Sequence, residues 1–247
     1  MSRSLLLAAA IALTPLVAHA SPSCPQFGVE GELPAVIHQQ FPGRTTLLCN
    51  GTYAALDADA TRGPLWSAEH LTRDDVRAGE RLKRHGRFHE DLRLPIEARS
   101  ELEDYRRSGF DRGHMTPSGD APTDGTQAET FALSNVVPQT NALNSGAWSH
   151  IEQTVRSLAL RDGDVYVVTG PAYYSSVIAT IGPDHVKVPS STWKAVYDPK
   201  RGGAMVYVCR NEVRSPHCSE LTVETLVRVT GVDPFPALPS EHKAPLL

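Results

Sequence analysis

The stretch DVYVVTGPAY, residues 164–173, limits the fold more than any other part of this chain. Its apolar, β-branched run is continuous rather than alternating, the pattern of a strand covered on both faces. Gly170-Pro171 reads as its stop. Such a strand cannot stand alone, so the remaining sequence has to supply partner strands and covering layers.

Partners are legible. Strands are expected near Thr45–Cys49 and Tyr53–Leu56, inside a region from 21 to 60 that is otherwise turn-rich. TWKAVYD and GAMVYVCR flank the turn PKRGG and read as a hairpin. FALSNVVPQ, residues 131–139, is strand-like, with Pro138 as its end. Residues 61–110 are polar and arginine-rich with weak periodicity, and no element is assigned there. SELTVETLVRVTG suggests a helix with Ser219 as N-cap and Gly231 at its end. Residues 233–247 read as a proline-rich tail over the surface.

The first twenty residues belong to a different class. MSRSLLLAAAIALTPLVAHA carries one cation, Arg3, then an apolar stretch from Leu5 to Leu13, a break at Pro15 and the small-residue ending AHA. This predicts a signal peptide over residues 1–20, cleaved after Ala20, and a secreted or periplasmic protein. Beyond it, no apolar run is long enough to span a bilayer. Hydrophobic residues make up 40% and charged residues 21%, which places residues 21–247 among globular rather than disordered chains. With no internal repeat and no linker in view, they read as a single mixed domain of strands and helices. Four cysteines, Cys24, Cys49, Cys209 and Cys218, follow the leader. An even count in an oxidising compartment predicts two disulfides. Cys24–Cys49 and Cys209–Cys218 are favoured among the three pairings, because each closes a short loop.

Formal net charge is −4, and one unit more negative without Arg3. Nucleic-acid binders are usually basic, so the global charge argues against that class. Locally the balance reverses: between 77 and 93, Arg77, Arg81, Lys83, Arg84, Arg87 and Arg93 outnumber Glu80, Glu90 and Asp91. A patch of that kind suffices for a phosphate groove, and it equally suits a solvated face.

Two segments concentrate chemistry. Residues 111–114 set Asp111, Arg112, Gly113 and His114 side by side. From Asn144 the chain reads as an amphipathic helix, with Trp148, Ile151, Val155, Leu158 and Ala159 on one stripe. Asn144 starts that stripe, and Glu152 lies at its flank two turns on. Taken alone, Asn144 is a plain N-cap and Glu152 a solvated edge. Together with 111–114 they make a set suited to phosphodiester hydrolysis. His114 can serve as base, Asn144 as a hard oxygen ligand to Mg²⁺, Glu152 as holder of the metal's waters, and Arg112 as phosphate donor. Gly113 lets the backbone pass closely between them, and Asp111 is expected to buttress the motif backbone.

DRGHM, then SNVVPQ, then LNSGAWSHIE resembles the DNA/RNA non-specific endonuclease family. DRGH is joined by an N-x₃-Q pair, Asn135 and Gln139, and by N-x₇-E, Asn144 and Glu152. RHGRFHED is similar to the family's upstream R-x₃-F-x₂-D element, and VYVVTGP to its central strand. The likeness runs from about Arg84 to Val229. It implies an α+β fold, a mixed and mainly antiparallel sheet core with a ββα-metal finger and flanking helices. It also implies a metal-dependent endonuclease acting on DNA and/or RNA, with His114 as general base. Asn144 is then the ligand to a single Mg²⁺ or Mn²⁺, Glu152 the acid supporting its waters, and Arg112 a phosphate contact. Arg84 is expected at the leaving phosphate, with Arg87 as the alternative, and Asn135 and Gln139 on the substrate side of the site. Two other classes stay open: a metal-dependent phosphodiesterase on small esters, and a relative that binds nucleic acid without cutting it.

Overall fold

The computed structural model describes residues 23–174 and 176–244. The predicted signal peptide, residues 1–20, and the last three residues of the tail lie outside the described residues. In chain order the first elements are β1 (Ala35–Val36), β2 (Thr45–Cys49), β3 (Ala54–Ala58), β4 (Gly63–Thr72), α1 (Arg73–Gly79), α2 (Leu102–Tyr105) and β5 (Asp111–His114). Then come α3 (Asp124–Thr130), β6 (Val136–Gln139), α4 (Ser149–Asp162), β7 (Asp164–Ala172), β8 (Thr180–Ile181) and β9 (Val186–Lys187). The last are β10 (Ser191–Asp198), β11 (Gly203–Arg210), β12 (Cys218–Leu221), α5 (Val223–Thr230) and β13 (Val232–Asp233).

The continuous apolar run becomes β7, the middle strand of a seven-stranded sheet ordered β12-β11-β10-β7-β4-β3-β2. Every pairing in that sheet is antiparallel. Gly170-Pro171 does not stop β7. Its ladder with β4 ends at Thr169, while its ladder with β10 continues to Ala172. Pro171 therefore sits where only one flank is paired, a position that tolerates a missing N–H.

The strands expected at 45–49 and 53–56 are β2 and β3, and the PKRGG hairpin is β10–β11. The long strand β4 lies in the region left unassigned. Its buried positions include Ser67 and Glu69, each 1% exposed, so polar side chains break the apolar pattern inside the core. Pro138 does not end β6 but lies within it, opposite Arg112, in a two-stranded sheet with β5 whose outer edge needs no N–H there. Ser219 is not a cap. Residues 218–221 pair with β11, and Thr222 caps α5 instead, its Oγ1 accepting from Thr225 N at 3.1 Å. Gly231, at φ 74°, ends that helix as expected.

The tail also departs from expectation over its described part. Val232 and Asp233 pair with β1, and Phe235 and Leu238 are buried in the main apolar cluster. Both predicted disulfides form, Cys24–Cys49 and Cys209–Cys218, which fits a protein outside the reducing cytosol. No helix among the described residues is long and apolar enough to cross a membrane.

The two faces of the sheet are covered differently. Trp66, Ala68, Val168, Trp193, Ala195 and Phe235 make one dry cluster. On the opposite face Trp148, just before α4, and Ile151, Val155 and Ala159 of α4 pack in one cluster with Val165, Val167 and Val196. The β5–β6 pair and α4 form the ββα unit on that second face.

Candidate active site

His114 ends β5, and Phe88 and Phe131 flank its ring at centroid distances of 5.1 and 5.0 Å. The imidazole is 7% exposed and lines a cleft of about 440 Å³ shared with Arg84, Asn144, Glu152 and Arg156. Its Nε2 is buried without a hydrogen-bond partner. Burial first, and then the Arg84 charge, push its pKa down to about 3. The ring is thus neutral at neutral pH, well below the near-neutral value expected of an unperturbed histidine.

The loop after His114 is pinned from inside. Asn135 Oδ1 accepts from Thr116 N at 2.9 Å, and its Nδ2 donates to Thr116 O at 2.8 Å and Thr130 O at 2.9 Å. Its amide is fully engaged and fully buried, so Asn135 shapes the site from within and is not placed to touch a substrate. Gln139 is equally buried, with Nε2 donating to Thr192 Oγ1 at 3.5 Å. It packs across Gly113, where any Cβ would overlap the Gln139 side chain. That close approach is why a glycine stands between Arg112 and His114.

Arg112 is not brought into the cleft. Two residues from His114 on the same strand, it shares that residue's face. Its guanidinium stacks over Phe88 and Tyr105 at 5.4 and 5.6 Å and is absent from the cleft lining. Of the two upstream candidates, Arg84 lines the cleft and Arg87 does not. Phe131 holds the Arg84 guanidinium over its ring at 5.3 Å.

Asn144 is not in a regular helix. A wide turn, Leu143–Trp148, precedes α4, and Gly146 leaves helical geometry inside it. Such π-type turns recur at functional sites. Asn144 Nδ2 donates to Asp111 Oδ2 at 3.1 Å, and Asn141 Nδ2 donates to the same oxygen at 2.9 Å. Asp111 therefore fixes side chains rather than the motif backbone. It claims the nitrogen end of the Asn144 amide and leaves the oxygen end for other partners.

Glu152, in the first turn of α4, is half-buried. Burial pushes its pKa up to about 7 against the opposing charge of Lys194, with Asp120 adding to the rise. Arg156, one turn on, also lines the cleft, and no motif in the sequence marks it. Its i+4 spacing from Glu152 was the available sign. Its Nη1 donates to Asp120 Oδ1 at 2.7 Å.

Among the described residues no group of three or more His, Cys, Asp or Glu gathers to hold a metal. One amide oxygen beside one carboxylate suits a hard divalent cation that keeps most of its waters, so the residues present fit Mg²⁺ or Mn²⁺. Size alone does not mark the site: a groove of about 620 Å³ between α5 and residues 240–244 is larger but is lined by no histidine.

The model of the family described as DNA/RNA non-specific endonuclease matches residues 35–241. Nuclease C1 of Cunninghamella echinulata var. echinulata is 38% identical over 153 residues, covering 58% of this chain and 61% of that protein. Mitochondrial endonuclease G of Bos taurus is 34% identical over 194 residues, covering 74% of this chain and 64% of that protein. The match spans less than two thirds of either relative. A chain in the crystal structure of the EndoG/EndoGI complex superposes with a TM-score of 0.75 at 29% identity, covering 84% of this chain and 92% of that one. The chain belongs to the DNA/RNA non-specific endonuclease family.

Proposed function

We propose that this protein is a secreted or periplasmic endonuclease that hydrolyses phosphodiester bonds of DNA or RNA with the help of one divalent cation, Mg²⁺ or Mn²⁺. Residues 1–20 then act as a cleaved leader. The observation that carries the reading is the cleft itself, where a neutral histidine with no hydrogen-bond partner faces the same space as Asn144, Glu152 and Arg84.

His114 is the base. With Nε2 sealed in the interior, Nδ1 is the ring nitrogen that takes the proton as the water oxygen bonds to phosphorus and the P–O bond to the leaving oxygen breaks. Arg84 binds the phosphate, and the bound anion offsets the Arg84 charge that helps depress the His114 pKa. Asn144 Oδ1 and, through water, Glu152 would hold the cation. When bound, the cation supplies charge neutralisation at the phosphate oxygens. Arg156 keeps a second positive charge at the wall of the cleft.

The test is plasmid degradation on a gel with and without EDTA, alongside release of product from a small chromogenic phosphodiester. Cutting that EDTA abolishes and Mg²⁺ restores is expected. Plasmid left intact while the small ester is hydrolysed would favour the phosphodiesterase reading instead.

A further inference from the structure

We infer that Asn211, outside the cleft, is a positioning residue for the Asn144 turn, and that the Cys209–Cys218 disulfide closes the loop that presents it. The inference rests on the reading of Asn144 as a metal ligand.

Asn211 follows the last residue of β11 and does for β6 what a neighbouring strand would do. Its Oδ1 accepts from Thr140 N at 2.8 Å, and its Nδ2 donates to Pro138 O at 2.9 Å and to Pro189 O at 3.0 Å. Residues 138 and 140 present their backbone groups on one edge of an extended chain, so a single amide reads both. That edge belongs to a sheet that has two strands among the described residues, and no strand among them covers it. Asn211 is itself fixed, because its N donates to Ser190 O at 2.9 Å.

Thr140 passes the restraint on. Its Oγ1 donates to Glu212 O at 2.8 Å. Its carbonyl accepts from Leu143 N at 3.1 Å and from Asn144 N at 2.9 Å. Asn144 thus hangs by its own backbone from a residue gripped by both Asn211 and Glu212. This matters because the segment from 143 to 148 is not a regular helix, so helix geometry does not aim the Asn144 amide. Asp111 holds the nitrogen end of that amide, and the Thr140 clamp sets where its Cα stands.

The loop from 210 to 217 is mostly exposed. It is closed at its base by Cys209–Cys218, directly paired on β11 and β12, and by Arg210 N donating to His217 O at 2.9 Å. The sulfurs pack in the apolar cluster that also holds Leu143 and Trp148, the two ends of the Asn144 turn. The disulfide therefore holds both the clamp and the floor beneath the turn.

Direct Mn²⁺ binding, followed by electron paramagnetic resonance without substrate, separates this role from a merely structural one. Asn211→Ala should weaken Mn²⁺ binding by about 10-fold or more, as loss of groups that orient a ligand does. Its kcat at saturating metal should stay within about twofold of wild type, since such a loss acts on metal affinity. Thr140→Val keeps the side-chain shape but loses the Oγ1 bonds, and should shift binding in the same direction. It carries the test if Asn211→Ala does not fold. Asn144→Ala is the control. If it loses Mn²⁺ while Asn211→Ala and Thr140→Val bind as wild type does, the positioning role is overturned and the metal reading stands. If Asn144→Ala binds Mn²⁺ normally, the metal reading fails and takes this inference with it.

Discussion

The two faces of the central sheet are built differently: one carries the main apolar cluster, the other sets a polar patch under the cleft beside the apolar patch under α4. Toward the chain termini, Trp66, Ala68, Val168, Trp193 and Ala195 meet Phe27 and Phe235 in an apolar layer. Toward the ββα unit, the same strands turn Ser67, Glu69, Thr169, Thr192 and Lys194 inward, and all are at most 1% exposed. Buried polar groups cost stability unless they are bonded. All of them but Glu69 are hydrogen-bonded, and these bonds tie together the framework of the cleft. Ser67 Oγ meets Thr116 Oγ1 at 2.6 Å, Lys194 Nζ donates to Met115 O at 3.4 Å and to Thr169 Oγ1 at 2.5 Å, and Thr192 Oγ1 accepts from Gln139. Met115 and Thr116 directly follow His114. The dry face stabilises the sheet, and the polar face fixes where the histidine stands.

Substitutions on the two faces should therefore separate activity from stability. The largest effect is expected at the polar face's product, the histidine itself. His114→Ala should lower kcat by about 10²–10⁴-fold, the usual worth of a general base, with Mn²⁺ binding retained. A well-folded His114→Ala protein that cuts plasmid at near the wild-type rate would remove the base assignment. Next comes the dry face. Trp193 is fully buried, and Trp193→Ala should cost about 3–5 kcal/mol in urea unfolding, yet leave kcat of the folded protein near wild type. A specific loss of kcat there would break the contrast.

Lys194→Met tests the polar face more gently. It leaves Thr169 Oγ1 and Met115 O without their donor, a cost of about 1–3 kcal/mol. Activity should fall along with stability, unlike at Trp193, because Met115 adjoins His114. Unchanged kcat in a destabilised Lys194→Met protein would mean that the polar layer is structural only.

The smallest effect near neutrality is a pH dependence. The pKa of an unfolded histidine is about 6.5, and burial with the Arg84 charge pushes that of His114 down to about 3. Above the unfolded value neither state carries the proton, and His114 adds no pH dependence. Between the two values the unfolded chain takes up a proton that the folded one excludes. Stability should then fall as pH falls, by at most about 1.4 kcal/mol per pH unit from this group. Urea midpoints across that window should show the slope in wild type and a shallower one in His114→Phe. Equal slopes would show that His114 is not held neutral in the fold.

The sequence by itself determined what depends on neighbours in the chain. β7, the β10–β11 hairpin and the apolar stripe of α4 follow from local periodicity. Both disulfides follow from short loop closure, and the grouping of His114, Asn144 and Glu152 from motif spacing. Only the tertiary structure decided what depends on partners distant in sequence. β4 was not legible because Ser67 and Glu69 break its pattern; Thr116 meets Ser67 across the fold, and the buried charges of Lys194 and Arg156 act on Glu69. Arg112 reads as a phosphate ligand, but its guanidinium stacks on Phe88 and Tyr105 instead of lining the cleft. Asn135 and Gln139, expected on the substrate side, are buried supports in the interior. Phe235 and Leu238 entered the core from a stretch whose prolines suggested a surface tail. In each case the residue's chemistry was readable, but its role was set by which polar or aromatic group folding brought against it. That choice is made by long-range contacts that no periodicity records.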